Sequence, residues 1–423
     1  MPKENTIYLP SERPPTGKLL ALSFQHVFAM FGATILVPIL TGLSVTSALF
    51  TAGTGTLLYI VITQAKVPAF LGSSFAFIPA LMAIIGQYGI PYAMGGAISA
   101  GLFYTLIGYI IKRIGTNWIK KALPPVVIGS VIIVIGLNLA PTAMDMAMNN
   151  NGNYSLVFLS IAVFTLAMTI ITNIFVKGFF SVIPILVGLV SGYLFTLVLG
   201  FIFPAYALIN FQVIKDAAWL GLPHFQIPKF NFVVIITFVI VSLATMAEHL
   251  GDTITLSNVV GEDFTVDPGL HRTLTGDGLA TAWAAFWGGP PNTTYGENIG
   301  VMALTRVYSV WVIGGAAIMA TLLSFFPKFG ALIQTIPSPV IGGISMLLFG
   351  VIASSGLRNL VESGVNYQNK RNLTISSVIL VIGIGGGLLA FPLGEGMMFQ
   401  MGGVALATFV GIVLNLLIPE SIE

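Results

Sequence analysis

The sequence predicts an all-α polytopic membrane protein of fourteen transmembrane segments, built as two inverted seven-span repeats. Three observations predict this class. Charged residues make up only 8% of 423 positions, Lys and Arg fall mostly on one side of the expected spans, and segment matches recur at a nearly constant offset.

Apolar residues are 56% of the chain, against 32 charged side chains, 17 Lys or Arg plus 15 Asp or Glu. A soluble domain is about 45–50% apolar and about 25% charged, so these charges cannot cover a water-facing surface. A soluble enzyme, a disordered chain, a nucleic-acid binder and a disulfide-stapled secreted domain are excluded. The absence of cysteine rules out disulfides, thiol nucleophiles and Cys-based metal sites. No cofactor is expected.

Roughly 20 apolar residues cross a ~30 Å hydrocarbon core. Spans are therefore expected at about 22–42, 46–64, 68–89, 92–111, 123–140, 154–176, 179–203, 231–256, 274–289, 291–305, 307–327, 338–356, 372–392 and 399–419. With the N-terminus inside, fourteen of the seventeen Lys and Arg lie in inside segments, Lys3, Lys121, Lys177 and Arg371 among them. Only Lys215, Lys229 and Lys328 lie outside. This bias puts both termini in the cytoplasm. The first eighteen residues form a polar tail that lacks the apolar core of a signal peptide.

Three segment pairs carry the repeat. Phe31-Gly32-Ala33-Thr34-Ile35 matches Leu250-Gly251-Asp252-Thr253-Ile254 at an offset of 219, and Ser73-Ser74-Phe75-Ala76 matches Thr293-Thr294-Tyr295-Gly296 at 220. Pro125, Gly129 and Gly136 reappear as Pro339, Gly343 and Gly350 at 214. Each pair lies seven spans apart. Seven is odd, so the copies face opposite ways, the architecture of many secondary transporters with a midplane site at broken helices.

Two spans should be broken. Leu71 to Phe77 lies between Pro68 and Pro79, and its counterpart Gly288 to Gly296 holds Pro290-Pro291 and three glycines. Neither stretch suits continuous helix, while their Ser/Thr pairs and aromatics favour short extended segments. Open backbone at membrane depth is tolerated only inside protein or along a cavity.

Acidic residues otherwise fall in loops, tails or span ends, but Glu248, Asp252 and Glu297 do not. An ionisable group at the bilayer centre costs about 2.5–3.5 kcal/mol on insertion scales, which marks it as functional by default. Glu248 and Asp252 are i, i+4 and share a helix face. Two close carboxylates in low dielectric resist joint ionisation, so the pair can hold a proton. Glu297 follows Gly296 at a half-helix N-terminus, where free N–H groups stabilise an anion or receive a ligand carbonyl. His26 is polar at membrane depth. His249 points about 100° away from Glu248 around the helix and reads as a packing or interhelical residue.

These residues resemble a known family. Gln25 to Thr34, Gly72 to Phe77, Ala247-Glu248-His249-Leu250-Gly251, and Asn292 through Arg306 are similar to the nucleobase–ascorbate transporters (nucleobase:cation symporters), closest to their uracil-transporting members. The Glu-Asn-x-Gly-x4-Thr-Arg run at 297–306 is the most specific part. The resemblance implies a core domain, 22–113 and 231–327, working against a gate domain, 123–203 and 338–423. The tail 1–21 and an external connection 204–230 flank them. Short antiparallel strands from spans 3 and 10 would meet at the substrate.

The resemblance further implies that Glu248 and Glu297 bind the polar edge of a pyrimidine. The backbone N–H groups of Phe75 and Gly296 would meet its carbonyls, and Tyr295 would line the site. Proton coupling would fall to Glu248, Asp252 and His26. The implied function is proton-coupled uracil symport into the cell by an elevator-like movement of core against gate. The implied setting is the cytoplasmic membrane, in a lipid bilayer, as a homodimer without nucleic acid. A purine, xanthine or sodium-coupled carrier of the same fold is the alternative, and Glu rather than Gln at 297 argues for uracil. An anion exchanger would need a positive charge at the half-helix site. A membrane-embedded enzyme would need no whole-chain repeat. Two positions depart from the family pattern, Asp252 where uracil-type members carry histidine and Phe349 where a gate tyrosine is expected.

Overall fold

Glycine and capping side chains set where the first helices start and stop. In the computed structural model, α1 (Thr16–Thr41) ends on Gly42 at φ +74°, a conformation glycine adopts without a Cβ clash. Ser44 then caps α2 (Val45–Ile62), accepting the Ser47 N–H at 3.3 Å. The structure describes residues 7–394 and 397–419. Lys3, the start of the polar tail and the last four residues lie outside the described residues, so the placement of both termini is not read from it.

A three-residue strand β1 (Leu71–Ser73), a single turn at Phe75–Phe77 and α3 (Ile78–Tyr88) come next. They lead into α4 (Ile90–Ile114), α5 (Pro125–Asn138), α6 (Ala140–Met148), α7 (Leu156–Phe175) and α8 (Pro184–Ile202). The second half opens with α9 (Phe232–Val260), whose Asn231 cap accepts the Val233 N–H at 2.9 Å, and α10 (Leu270–Phe286). It continues through β2 (Asn292–Thr294), α11 (Gly296–Thr305), α12 (Val310–Leu323), α13 (Pro327–Gln334) and α14 (Ser338–Glu362). It closes with α15 (Lys370–Ile384), a hairpin of β3 (Leu388–Gly394) and β4 (Met397–Gly402), and α16 (Gly403–Leu417).

Among the described residues, eight helices are long and apolar enough to cross a membrane, α5 and α6 counting together as one, Pro125–Met148. The pair α12 and α13, bent by 86°, makes a ninth if it is one span. Such a chain is a multi-pass membrane protein. Five further helices, α3, α10, α11, α15 and α16, stand at expected spans but are shorter than a full crossing. The last two expected spans differ most. Residues 388–394 and 397–402 form an antiparallel hairpin instead of helix. Gly385-Gly386-Gly387, with Gly386 at φ +70°, ends α15, and Pro392 cannot continue a helix. The apolar run goes on through this break, so hydropathy alone reads helix and strand alike.

Glycine lets helices from the two halves touch. A Cβ on Gly101 of α4 would run into the Gly278 carbonyl of α10, and one on Gly278 would strike the Tyr104 Cβ. The pair α5 and α14 repeats the device, with a Gly356 Cβ only 2.6 Å from the Gly129 carbonyl. Apolar burial supplies little drive between helices in lipid, so close contact of small residues carries the association. Gly101→Val should therefore lower stability by about 1–3 kcal/mol through overpacking, read as a lower melting temperature of the detergent-purified protein.

Strands β1 and β2 pair antiparallel in the register Leu71↔Thr294, Gly72↔Thr293, Ser73↔Asn292. Flanking bonds lengthen the ladder, Tyr295 N–H to the Phe70 carbonyl at 3.0 Å and Ser74 N–H to the Pro291 carbonyl at 2.8 Å. Side chains close its outer edges. The Thr56 hydroxyl accepts the Leu71 N–H at 2.9 Å, and Thr281 donates to the Asn292 carbonyl at 2.8 Å. Asn292 itself donates to the Thr51 carbonyl at 3.0 Å.

Candidate functional site

Each strand of this small sheet delivers the chain into the start of a helix. Ser73 is followed by the turn at Phe75, and Thr294 by α11 at Gly296. The first N–H groups of a helix have no acceptor within it, and their dipoles favour a carbonyl or anion in front of them. A Cβ built on Gly296 or on Gly300 meets nothing within 4 Å. The space beside this helix start is open.

That space is a cavity of about 380 Å³. Glu248 and Asp252 of α9 line it, one helical turn apart, with Thr293, Thr294, Tyr295, Gly296 and Glu297 from β2 and α11, and with Phe75. Glu248 Oε2 is buried without a hydrogen-bond partner among the described residues. Asp252 accepts the Thr294 hydroxyl on Oδ2 at 2.9 Å. The far wall comes from α14, including Leu348 and Ser355, and from the start of α8 at Pro184 and Ile185. Phe349 sits behind that wall, its ring edge-on to Phe75 at 6.0 Å between centroids.

Tyr295 is locked from both sides. Its hydroxyl donates to the Ser73 carbonyl at 3.3 Å and accepts from Thr34 at 3.2 Å. Its ring occupies the place where a side chain on Gly72 would stand. Gly72 is thus needed for a close approach and not for an unusual φ.

The cavity gathers Phe75, Glu248, Asp252, Tyr295, Gly296 and Glu297. It does not gather His26, which is buried away from it with Nδ1 3.0 Å from Asn298 Nδ2. Asn298 also donates to the His26 carbonyl at 3.2 Å, so the pair ties α11 to α1.

The sequence reading missed two residues. Asp277 is wholly buried, its Oδ2 3.2 Å from His249 Nδ1. An expected span beginning at 274 leaves Asp277 at a span end, but α10 starts at Leu270 and carries it inward. An acid between Gly276 and Gly278, in a helix packed through glycine, was the available signal. Arg358 is the other, a cation on the cavity lining where none was expected. It lies ten residues beyond Leu348, about 15 Å along the helix.

The fold and this cavity define a membrane carrier. Residues 17–390 match the Permease family model Xan_ur_permease, and the chain belongs to that family, the nucleobase–ascorbate transporters. It is a permease and not an enzyme. It is 51% identical over 421 residues to the uracil permease of Bacillus subtilis (strain 168), covering 97% of this chain and 94% of that one. It is 44% identical over 412 residues to the uracil permease of Escherichia coli (strain K12), covering 96% and 92%.

Among solved structures, it is similar to SLC26A9 with a TM-score of 0.71 at 12% identity, over 94% of this chain. This chain spans 64% of the length of that one. The transmembrane domain of the cyanobacterial bicarbonate transporter BicA matches with a TM-score of 0.61 at 13% identity, over 95% of this chain and 97% of that one. These likenesses are of fold alone.

Two glycines of the site should behave oppositely. Gly72→Ala should cost about 1–3 kcal/mol of stability by pushing a methyl into the Tyr295 ring. Gly296→Ala, with open space around it, should stay within about 0.5 kcal/mol. Thermal melts of the two purified variants check the contrast.

Proposed function

We propose that this chain carries uracil, together with a proton, into the cell across the cytoplasmic membrane. One observation supports it above the others: Glu248 and Glu297, from different helices, line the same cavity as the helix starts at Phe75 and Gly296. Uracil offers two ring N–H donors and two carbonyl acceptors. Carboxylates complement the first, free backbone N–H groups the second, and Tyr295 closes the side. A neutral planar ligand needs no cation beside it; Arg358 lines the same cavity, ten residues along α14 from Leu348. Both relatives described above are uracil permeases by name, which favours uracil over a purine.

Coupling would come from Glu248 with Asp252 beside it. Carrying a carboxylate past a low-dielectric barrier is costly while it is charged, so the loaded and empty carriers would cross in different protonation states. His26, held by Asn298, would act as a tether between helices and not as the proton carrier.

The movement would set one body against another. Contacts among α1, α2, α4, α10 and α12 support a core, and those among α5, α7, α14, α15 and α16 support a gate. The cavity has walls from both groups. Alternating access by an elevator-like shift is the natural motion for a site so placed. The same reading includes fourteen segments in two inverted repeats, with β1 and β2 interrupting the third and tenth, and a homodimer in the bilayer.

Proteoliposomes should take up labelled uracil and accumulate it when the outside is acidified. Glu248→Gln should abolish that accumulation while retaining some uracil exchange, because glutamine mimics a permanently protonated acid. Gradient-driven uptake persisting in this variant would move the proton to Asp252 or Glu297. A sodium requirement would overturn the proton assignment. No uracil uptake or binding by the intact protein would overturn the substrate.

Orientation has a separate test that the cysteine-free sequence makes clean. Single cysteines replacing Lys121, Lys177 or Arg371 should react with an impermeant maleimide only after the cytoplasmic face is opened, and one replacing Lys215 should react in intact cells. Two positions on the wrong side would overturn the fourteen-span arrangement.

A further inference from the structure

We infer that Thr294 is a positioning residue for the substrate site, setting through Asp252 the spacing between the two glutamates. The inference deepens the uracil reading above and rests on it. A ligand bridging two carboxylates on separate elements binds well only if those elements keep a fixed separation. Glu248 lies on α9 and Glu297 on α11, and both line the cavity. Among the described residues, one side-chain hydrogen bond joins α9 to the β2–α11 segment. It is Thr294 Oγ1 donating to Asp252 Oδ2 at 2.9 Å.

Both ends of this bond are stiff. Asp252 stands one turn after Glu248 on the same helix face. Thr294 is buried at 5% exposure and three residues before Glu297, so little chain separates the tether from the glutamate it places. On its other side Thr294 is registered opposite Leu71. The Leu71 N–H and carbonyl are in turn held by the Thr56 hydroxyl at 2.9 and 3.1 Å. Thr294 is therefore a junction of three elements: α2 through Leu71, α9 through Asp252, and the start of α11 through the chain itself. Its β-branched shape suits the strand, which valine would preserve, while the hydroxyl alone makes the link to α9.

The test is a double-mutant cycle in uracil affinity on the full-length, detergent-purified protein, with a thermal melt of every variant. Wild-type binding is measured first, and its absence would overturn the uracil reading itself. Thr294→Val should weaken uracil binding about tenfold, the scale of one hydrogen bond to a charged group, with a melting transition retained. Thr294→Ala carries the same measurement if the valine variant gives no transition. Asp252→Ala should weaken binding comparably, and the double variant should bind no worse than the weaker single one. Thr294→Ser, which keeps the hydroxyl, should restore most of the affinity. A residue serving only to satisfy a buried group would lower the melting temperature without this non-additive pattern in affinity. Wild-type affinity in a folded Thr294→Val protein, or independent penalties in the double variant, would overturn the inference while leaving the uracil reading standing.

Discussion

Open backbone buried among helices must find its hydrogen bonds inside the protein, and the architecture around the cavity follows from that demand. Strands β1 and β2 answer part of it by pairing with each other. Hydroxyls from neighbouring helices meet their outer edges, Thr56 accepting the Leu71 N–H and Thr281 donating to the Asn292 carbonyl, while the strand's own Asn292 amide donates to the Thr51 carbonyl of α2. Once the strands are satisfied, the unspent donors are those at the helix starts, beside Phe75 and Gly296. The donors left to face a ligand are thus a remainder of the backbone's own accounting.

The same arrangement explains why the acids gather where they do. Glu248, Asp252 and Glu297 are costly at this depth unless something they hold offsets the cost. Asp252 has a hydroxyl in Thr294, whereas Glu248 Oε2 has no partner among the described residues. A carboxylate kept near open space and left unpaired is better suited to receiving a donor than to bracing the fold. Asp277 is not among the residues lining the cavity; it is wholly buried, with Oδ2 3.2 Å from His249 Nδ1 of α9.

Much of this was legible in the residues themselves. The broken pattern at 288–296 announced itself through adjacent prolines and Thr293-Thr294, and the i, i+4 spacing of Glu248 and Asp252 placed both on the cavity. What could not be read depended on distance along the chain or on exact helix ends. His26 read only as polar at membrane depth because its partner Asn298 is 272 positions away. Asp277 looked peripheral because the span was started four residues late. Residues 388–392 and 399–402 looked helical because hydropathy carries no information on backbone direction once glycine has ended a helix. Arg358 entered the lining because α14 runs on to Glu362, six residues past the apolar stretch that marked the span.

The glycine contacts have a consequence for how the chain is made. Gly101 and Gly278 join a helix of the first half to one of the second, as do Gly129 and Gly356, and as do the strands β1 and β2. Neither half can therefore complete its own packing. During synthesis, α4, α5 and β1 emerge with their closest contact surfaces bare, and they stay so until more than 150 further residues have followed. The polypeptide must wait in the bilayer as a set of inserted but uncommitted helices, and assembly is gated by the late arrival of α10, β2 and α14. Two separately produced halves, divided within 204–230, would each be incomplete alone and complementary together, because the glycine seams and the β1–β2 pairing run between them.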